Sequence, residues 1–262
     1  MDRRQFIYLA AGSAALGYLG WQAGHGSLIN PRLMKIKRTG YALGTQVSLT
    51  VFHGGKAAAE TALDEAFAAI EAVEAQMSLY RPASALTQLN RHGRLENPPA
   101  ELVQVLREAT RLSRLTGGAF DVTVQPLWEV YYESTQAGRV ADEAAIQAAR
   151  AKVDWRRVEV SESLIRLHGQ GTQVTLNGLA QGYAADAACA ALRKHGIDHA
   201  LIDSGEVNAL GEPARKGPWQ IGIKHPRQPG NLAGMASLQG RCLATSGDYE
   251  TRFSEDYRDN HL

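Results

Sequence analysis

Cysteine is nearly absent from this chain, with two in 262 residues, Cys189 and Cys242. That is too few for a disulfide framework, and neither lies in a C-x-x-C or Cys/His spacing that holds zinc. Both are read as buried free thiols, with a single disulfide between them as the alternative. An excess of either charge is missing as well. Lys and Arg number 28 against 27 Asp and Glu, for a net charge of +1, which leaves no electrostatic footprint for a nucleic-acid partner. The chain has no G-x-S-x-G elbow, no Walker A loop and no H-E-x-x-H, so the commonest hydrolase, P-loop and zinc-peptidase chemistries drop out. Its eight histidines are scattered, and none forms an i, i+4 pair on a helix. Gly169-Gln170-Gly171 lacks the third glycine of a dinucleotide fingerprint and sits between strand-like runs, so it reads as a turn. There is no internal repeat and no low-complexity linker.

What remains is a globular composition, 44% hydrophobic and 21% charged, in a chain of the size that single domains reach, roughly 250 residues. Residues 1–30 are set apart from it. Arg3 and Arg4 are followed by an apolar stretch from Phe6 to about Trp21, shorter than the roughly 20 residues a membrane span needs. The run Arg3-Arg4-Gln5-Phe6-Ile7 resembles the twin-arginine export signal of bacteria. The expectation is a leader over residues 1–30, cleaved or kept as an inner-membrane anchor, with the body facing the periplasm.

Along the body, residues 34–52 alternate apolar and polar, with Val47, Leu49 and Val51 on one face, the pattern of a half-buried strand. Residues 57–78 carry Leu63, Phe67, Ile70, Val73 and Met77 at helical spacing. Pro98-Pro99 opens a second helix that Gly117-Gly118 closes. Asp142 caps a short helix to Lys152, and a longer one runs from about Leu179 to His195 and ends at Gly196. Short strands are read at 158–160, 164–168, 173–176, 200–203, 219–224, 236–238 and 242–244, the second and third of them as a hairpin. Strands and helices alternate irregularly, which predicts an α+β fold with mixed, mostly antiparallel sheets and packed helices.

Four segments stand out. They are Met77 to Leu86, with Tyr80 in a loop after a helix; Thr116 to Leu127, with Gly117-Gly118 before Ala119-Phe120-Asp121; Thr175 to Asp186; and Ala244 to Glu250, followed by Asn260-His261. The glycine pair lets the backbone approach a ligand and leaves peptide N–H groups free for a flat heterocycle or a phosphate, unless it merely stops a helix ahead of an edge strand. At Leu176-Asn177-Gly178 a strand gives way to a helix whose first peptides suit an anion such as a pyrophosphate. The alternative there is that Gln181 and Tyr183 only dress a helix start, as Tyr80 is alternatively a core aromatic.

In this order and at these separations, the four segments resemble the ApbE family of FAD:protein FMN transferases over residues 36–262. The leader and the wording of residues 176–184 look most like its NosX branch, linked to maturation of the nitrous oxide reduction system. The resemblance implies one ApbE-like domain over those residues and FAD contacts from Leu43, Tyr80, Ala119, Phe120, Asp121, Thr175 and Gln181. It also implies a Mg²⁺ site using the Gly178 carbonyl, and His261 as the catalytic base. The family's usual wording, D-x-G-[GA]-x-A-K-G-Y-A, is changed here to Thr175 for the acid, Asn177 for a glycine and Gln181 for the lysine. A glutamine bonds a phosphate or ribose without supplying positive charge, so lowered rate or affinity is expected. In the family an Asp-Pro-x-Thr-Gly motif follows the histidine and completes the magnesium site. The sequence stops before it, which implies a longer natural protein and a poorly held His261.

The implied reaction is magnesium-assisted transfer of FMN from FAD to a Ser or Thr hydroxyl of a periplasm-facing flavoprotein, with AMP leaving. Two alternatives stay open: a non-catalytic periplasmic FAD-binding or donor protein, and an FAD pyrophosphatase.

Overall fold

A computed structural model describes residues 33–213 and 217–261; the leader read over residues 1–30 lies outside the described residues. The sequence suggests one domain from residue 36. The described chain divides into two compact units interleaved in sequence, one of residues up to 71 and 181–252, the other of residues 72–180 and 253–261. Every strand pairing among the described residues is antiparallel, and helices accompany the sheets, the α+β arrangement that the irregular alternation predicts.

In the first unit, the run read as one strand is a hairpin of β1 (Met34–Ala42) and β2 (Thr45–His53). Leu43 and Gly44 make the turn, with φ of 54° and 73°, the two-residue geometry whose twist matches paired strands. Val47, Leu49 and Val51 are fully buried, as the alternation requires. Thr50 and Phe52 are buried too, because β2 is interior to a sheet ordered β1-β2-β6-β7-β10. Here β6 is His199–Asp203, β7 is Val207–Leu210 and β10 is Cys242–Leu243. A second sheet of β8 (Trp219–Lys224) and β9 (Leu232–Leu238) supplies Trp219, Ile221 and Leu238 to one cluster with Phe52, Leu201, Val207 and Ala209. The Trp219 ring lies 5.9 Å from that of Phe52, and its indole N–H donates to the Leu210 carbonyl at 3.2 Å. Such a buried aromatic pair contributes about 1 kcal/mol beyond its area.

Helix α1 (Lys56–Met77) turns Leu63 and Ile70 inward, and the Phe67 ring approaches β1 where Gly40 has no side chain; a Cβ there would lie 2.7 Å from the ring. Arg38 of β1 bridges Glu60 and Asp64 on the same helix. The turn between β6 and β7 is Ser204-Gly205-Glu206, with Gly205 at φ 96°. Burial, then the neighbouring Asp203 carboxylate, pushes Glu206 up to about 7, and burial also raises Asp203. Both thiols are free, yet only Cys189 is buried, its pKa pushed up to about 12 by that burial. Cys242 is exposed at the end strand of its sheet, so the expectation of two buried thiols holds for one.

The second unit holds α2 (Ala85–His92), α3 (Ala100–Leu115), α4 (Gln125–Gln136) and α5 (Glu143–Arg150). It also contains a small sheet of β3 (Arg94–Glu96), β4 (Val158–Val160) and β5 (Leu164–Leu167), ordered β3-β5-β4. Asp142 caps α5 as expected, accepting from the Ala145 amide at 3.1 Å. The strand and hairpin expected over residues 173–176 do not form, because both edges of β5 are already paired with β3 and β4. Val174 is fully buried and must find partners elsewhere. The Asn90 side chain provides both, donating to its carbonyl at 2.8 Å and accepting from its amide at 2.8 Å.

Two measurements check these accounts. Asn90→Ala leaves two buried main-chain groups unpaired at about 1–3 kcal/mol each, so urea unfolding should show a loss of about 2–4 kcal/mol; a loss under about 0.5 kcal/mol would contradict the pairing. Because the folded state holds Glu206 protonated above its ordinary range, the native protein loses stability as pH rises from the unfolded carboxyl value through about 7. Glu206→Gln should remove that part of the loss, gaining on wild type at pH 8 but not at pH 4; a parallel pH profile for the two proteins would refute it.

Candidate active site

Helix α3 ends at Leu115, and the chain leaves it through Gly117 and Gly118, at φ 63° and 90°. This turn corrects one expectation. Its peptide N–H groups are not free for a ligand: Gly118 donates to the Ser113 carbonyl at 2.8 Å, Gly117 to Arg114 at 3.3 Å and Ala119 to Thr116 at 3.3 Å. The Phe120 amide donates to the Thr116 hydroxyl at 3.1 Å. Glycine is needed here because the carbonyls at a helix end are reached only through left-handed backbone. What the loop offers outward is the exposed Ala119 and the half-buried Phe120.

Asp121 then caps a short 3-10 turn, Val122–Val124. One carboxylate oxygen accepts the Thr123 amide at 2.8 Å and the Thr123 hydroxyl at 2.6 Å; the other accepts the Trp155 amide at 2.9 Å. The Thr123 hydroxyl in turn accepts the Asp154 amide at 2.8 Å. The resemblance assigns Asp121 to FAD, but its carboxylate is engaged inside the protein.

The second glycine turn meets the first. The Thr175 amide donates to the Val122 carbonyl at 2.8 Å. Leu176 is buried and accepts the amides of Leu179 and Ala180 at 2.9 and 2.8 Å, which starts helix α6 (Ala180–Lys194). Asn177 and Gly178 remain exposed on the rim. A Cβ on Gly178 would lie 3.5 Å from Cε2 of Phe120, so the aromatic ring rests beside bare backbone. Phe120, Asp121, Thr175 and Gly178 are thus brought together in one cradle.

Tyr80 stands in the same unit, 49% exposed, with its hydroxyl raised by burial and by Tyr132. Tyr132 stacks on Trp128 at 4.6 Å along α4. His261 is exposed near the chain's end, after a turn closed by the Phe253 amide on the Asp259 carbonyl at 2.7 Å. The two remaining assigned residues belong to the first unit. Leu43 is the first turn residue of the β1–β2 hairpin. Gln181 lies against Gly205, whose Cβ would meet its amide nitrogen at 3.0 Å, beside the Asp203 and Glu206 turn.

Among the described residues, no group of three or more His, Cys, Asp or Glu side chains gathers at a metal-sized site. Gly178, to whose carbonyl the resemblance gives a magnesium role, is exposed on the rim of the cradle. Thr123, Asp154 and Trp155 escaped the sequence reading. Asp121-Val122-Thr123 is a cap signature that could have exposed Thr123, whereas the other two contribute only backbone amides, which carry no side-chain signal.

Residues 43–262 match the ApbE family. The chain is 28% identical over 235 residues to the FAD:protein FMN transferase of Haemophilus influenzae, covering 84% of this chain and 68% of that protein. It is 28% identical over 238 residues to that of Vibrio cholerae, covering 85% and 69%. Among solved structures, the flavin transferase ApbE of Vibrio cholerae superposes with a TM-score of 0.74 at 26% identity, over 85% of this chain and 75% of that one. The ApbE protein of Thermotoga maritima gives 0.76 at 26% identity, over 85% and 74%. With its four motif segments in order and a match over most of its length, the chain belongs to the ApbE family.

Proposed function

We propose that this protein transfers FMN from FAD to a Ser or Thr hydroxyl of a partner flavoprotein. The single observation that carries the reading is the meeting of the two glycine turns, through Thr175 on Val122 and Phe120 on Gly178. A flat heterocycle needs an apolar ring beside open backbone, and Phe120 and Gly178 offer both. A diphosphate is favoured by the positive end of a helix dipole, and the turn through Asn177 and Gly178 opens α6, with the Asn177 amide on the Thr175 hydroxyl at 3.3 Å and those of Leu179 and Ala180 on the Leu176 carbonyl. Tyr80 of the same unit is a further FAD contact in this reading, and the resemblance assigns Leu43 and Gln181 of the first unit to FAD as well.

In the reaction, the acceptor oxygen attacks the FMN-side phosphorus. An O–P ester bond forms, the P–O–P anhydride bond breaks, AMP departs and the hydroxyl proton passes to the His261 imidazole. Mg²⁺, for which the Gly178 carbonyl would be a ligand, would supply charge neutralisation on the diphosphate in this chemistry. The twin-arginine-like run supports a periplasmic site of action and an acceptor on the outer side of the inner membrane, in nitrous oxide reductase maturation. No helix among the described residues is long and apolar enough to cross a membrane, so membrane association would come through the acceptor or the leader.

Gln181 and Thr175, neutral where the family carries charge, favour the second reading of a protein that holds FAD without cleaving it. Incubation with FAD, Mg²⁺ and a candidate acceptor separates the cases. The proposal expects AMP release together with a flavin-sized mass gain on the acceptor. Intact FAD retained on yellow protein supports the holding role, and FMN released without acceptor supports a pyrophosphatase. Gly178→Val should weaken FAD binding about tenfold by covering the bare backbone beside the Phe120 ring where the proposal seats the coenzyme; unchanged affinity in a fluorescence titration would remove that turn from the site.

A further inference from the structure

We propose that Thr123 is a positioning residue for the coenzyme cradle, acting through Asp121 on Phe120. This role rests on the reading that the cradle binds FAD. Thr123 is fully buried and touches no outer surface. Its hydroxyl does two jobs: it donates to Asp121 at 2.6 Å and accepts the Asp154 amide at 2.8 Å. One O–H donor and one occupied lone pair join the acid to a loop distant in sequence.

The residues on either side of Asp121 are the ones that form the cradle. Phe120 precedes it, with its amide fixed on Thr116 and its ring beside Gly178. Val122 follows it, with its carbonyl holding the Thr175 amide. The carboxylate has three internal donors, from Thr123 twice and from the Trp155 amide. Asp121, half-buried, therefore works as an anchor that sets where its neighbours point. A hydrogen bond to an ionised carboxylate is about twice as strong as a neutral one, so the Thr123 hydroxyl is the strongest single tie that a side chain makes to that anchor. Without it, the acid keeps two amide donors and can swing, taking the Phe120 ring off Gly178.

Thr123→Val deletes the hydroxyl and keeps the branched shape, whereas Thr123→Ser keeps the hydroxyl. In the full chain, the Val variant should raise both the dissociation constant and KM for FAD about tenfold or more, the loss expected for one bond to a charged group. It should leave kcat within about threefold, since no reacting atom is touched. The Ser variant should bind within about twofold of wild type. A Val variant with unchanged KM, or one that loses kcat alone, overturns the role. If the Val variant does not fold by circular dichroism, Asp121→Asn decides: its amide donor would face the Trp155 N–H or the Thr123 donors, and the same rise in KM is expected, with an unchanged KM contradicting the role. Wild type that binds no FAD refutes the functional reading, and this role with it. Wild type that binds FAD while the Val variant binds equally well refutes the role alone.

Discussion

A carboxylate partly withdrawn from water is stabilised by hydrogen-bond donors that replace its lost solvation. At Asp121 this demand draws three stretches of chain together. The donors come from the turn after α3 and from the loop at Asp154-Trp155, and the residue that follows the acid receives the Thr175 amide from the loop ahead of α6. The cradle of Phe120 and Gly178 is a consequence of that convergence. Its ring and its bare backbone are adjacent because the acid beneath them fixes the chain on both sides.

The same constraint shapes the chemistry. With the acid saturated and the Gly117-Gly118 amides closing a helix end, the cradle faces outward with an aromatic ring, small residues and the rim of a turn. Under the proposed function, the coenzyme would meet shape and a flat surface there more than charge. Thr175 and Gln181 follow the same trend, since each puts a neutral hydrogen-bonding group where the family carries a charged one. In the first unit the Gln181 amide sits beside a turn bearing Asp203 and Glu206, whose carboxyl pKa values burial raises.

Much of this was legible in the sequence, and the gaps have physical causes. Helix α1, α3 with its glycine stop, the Asp142 cap and most strands follow from periodicity and turn chemistry. The β1–β2 hairpin was read as one strand, although a signal was present: the inward set shifts from Ile36, Gly40 and Ala42 to Thr45, Val47 and Leu49, a change of phase that only a turn between them explains. Helix α2 was missed because its start signal, Ser84, lies inside a segment read for its aromatic, and β7 because it follows β6 after a very short turn. Residues 173–176 look like a strand since Val174 and Leu176 alternate, but their partners are one asparagine side chain and one carbonyl, pairings that no local pattern encodes. That Phe120, Asp121, Thr175 and Gly178 belong together was legible in the motif segments. Their division of labour was not, because whether a carboxylate faces a ligand or a distant backbone amide depends on long-range packing.

The most direct test is a crystal structure of the protein grown with FAD. The account predicts coenzyme density against the Phe120 ring, the diphosphate at the Asn177-Gly178 rim, and the Asp121 carboxylate still on Thr123 and Trp155. Density elsewhere on the surface, or an Asp121 carboxylate turned out to bond the coenzyme, would contradict it.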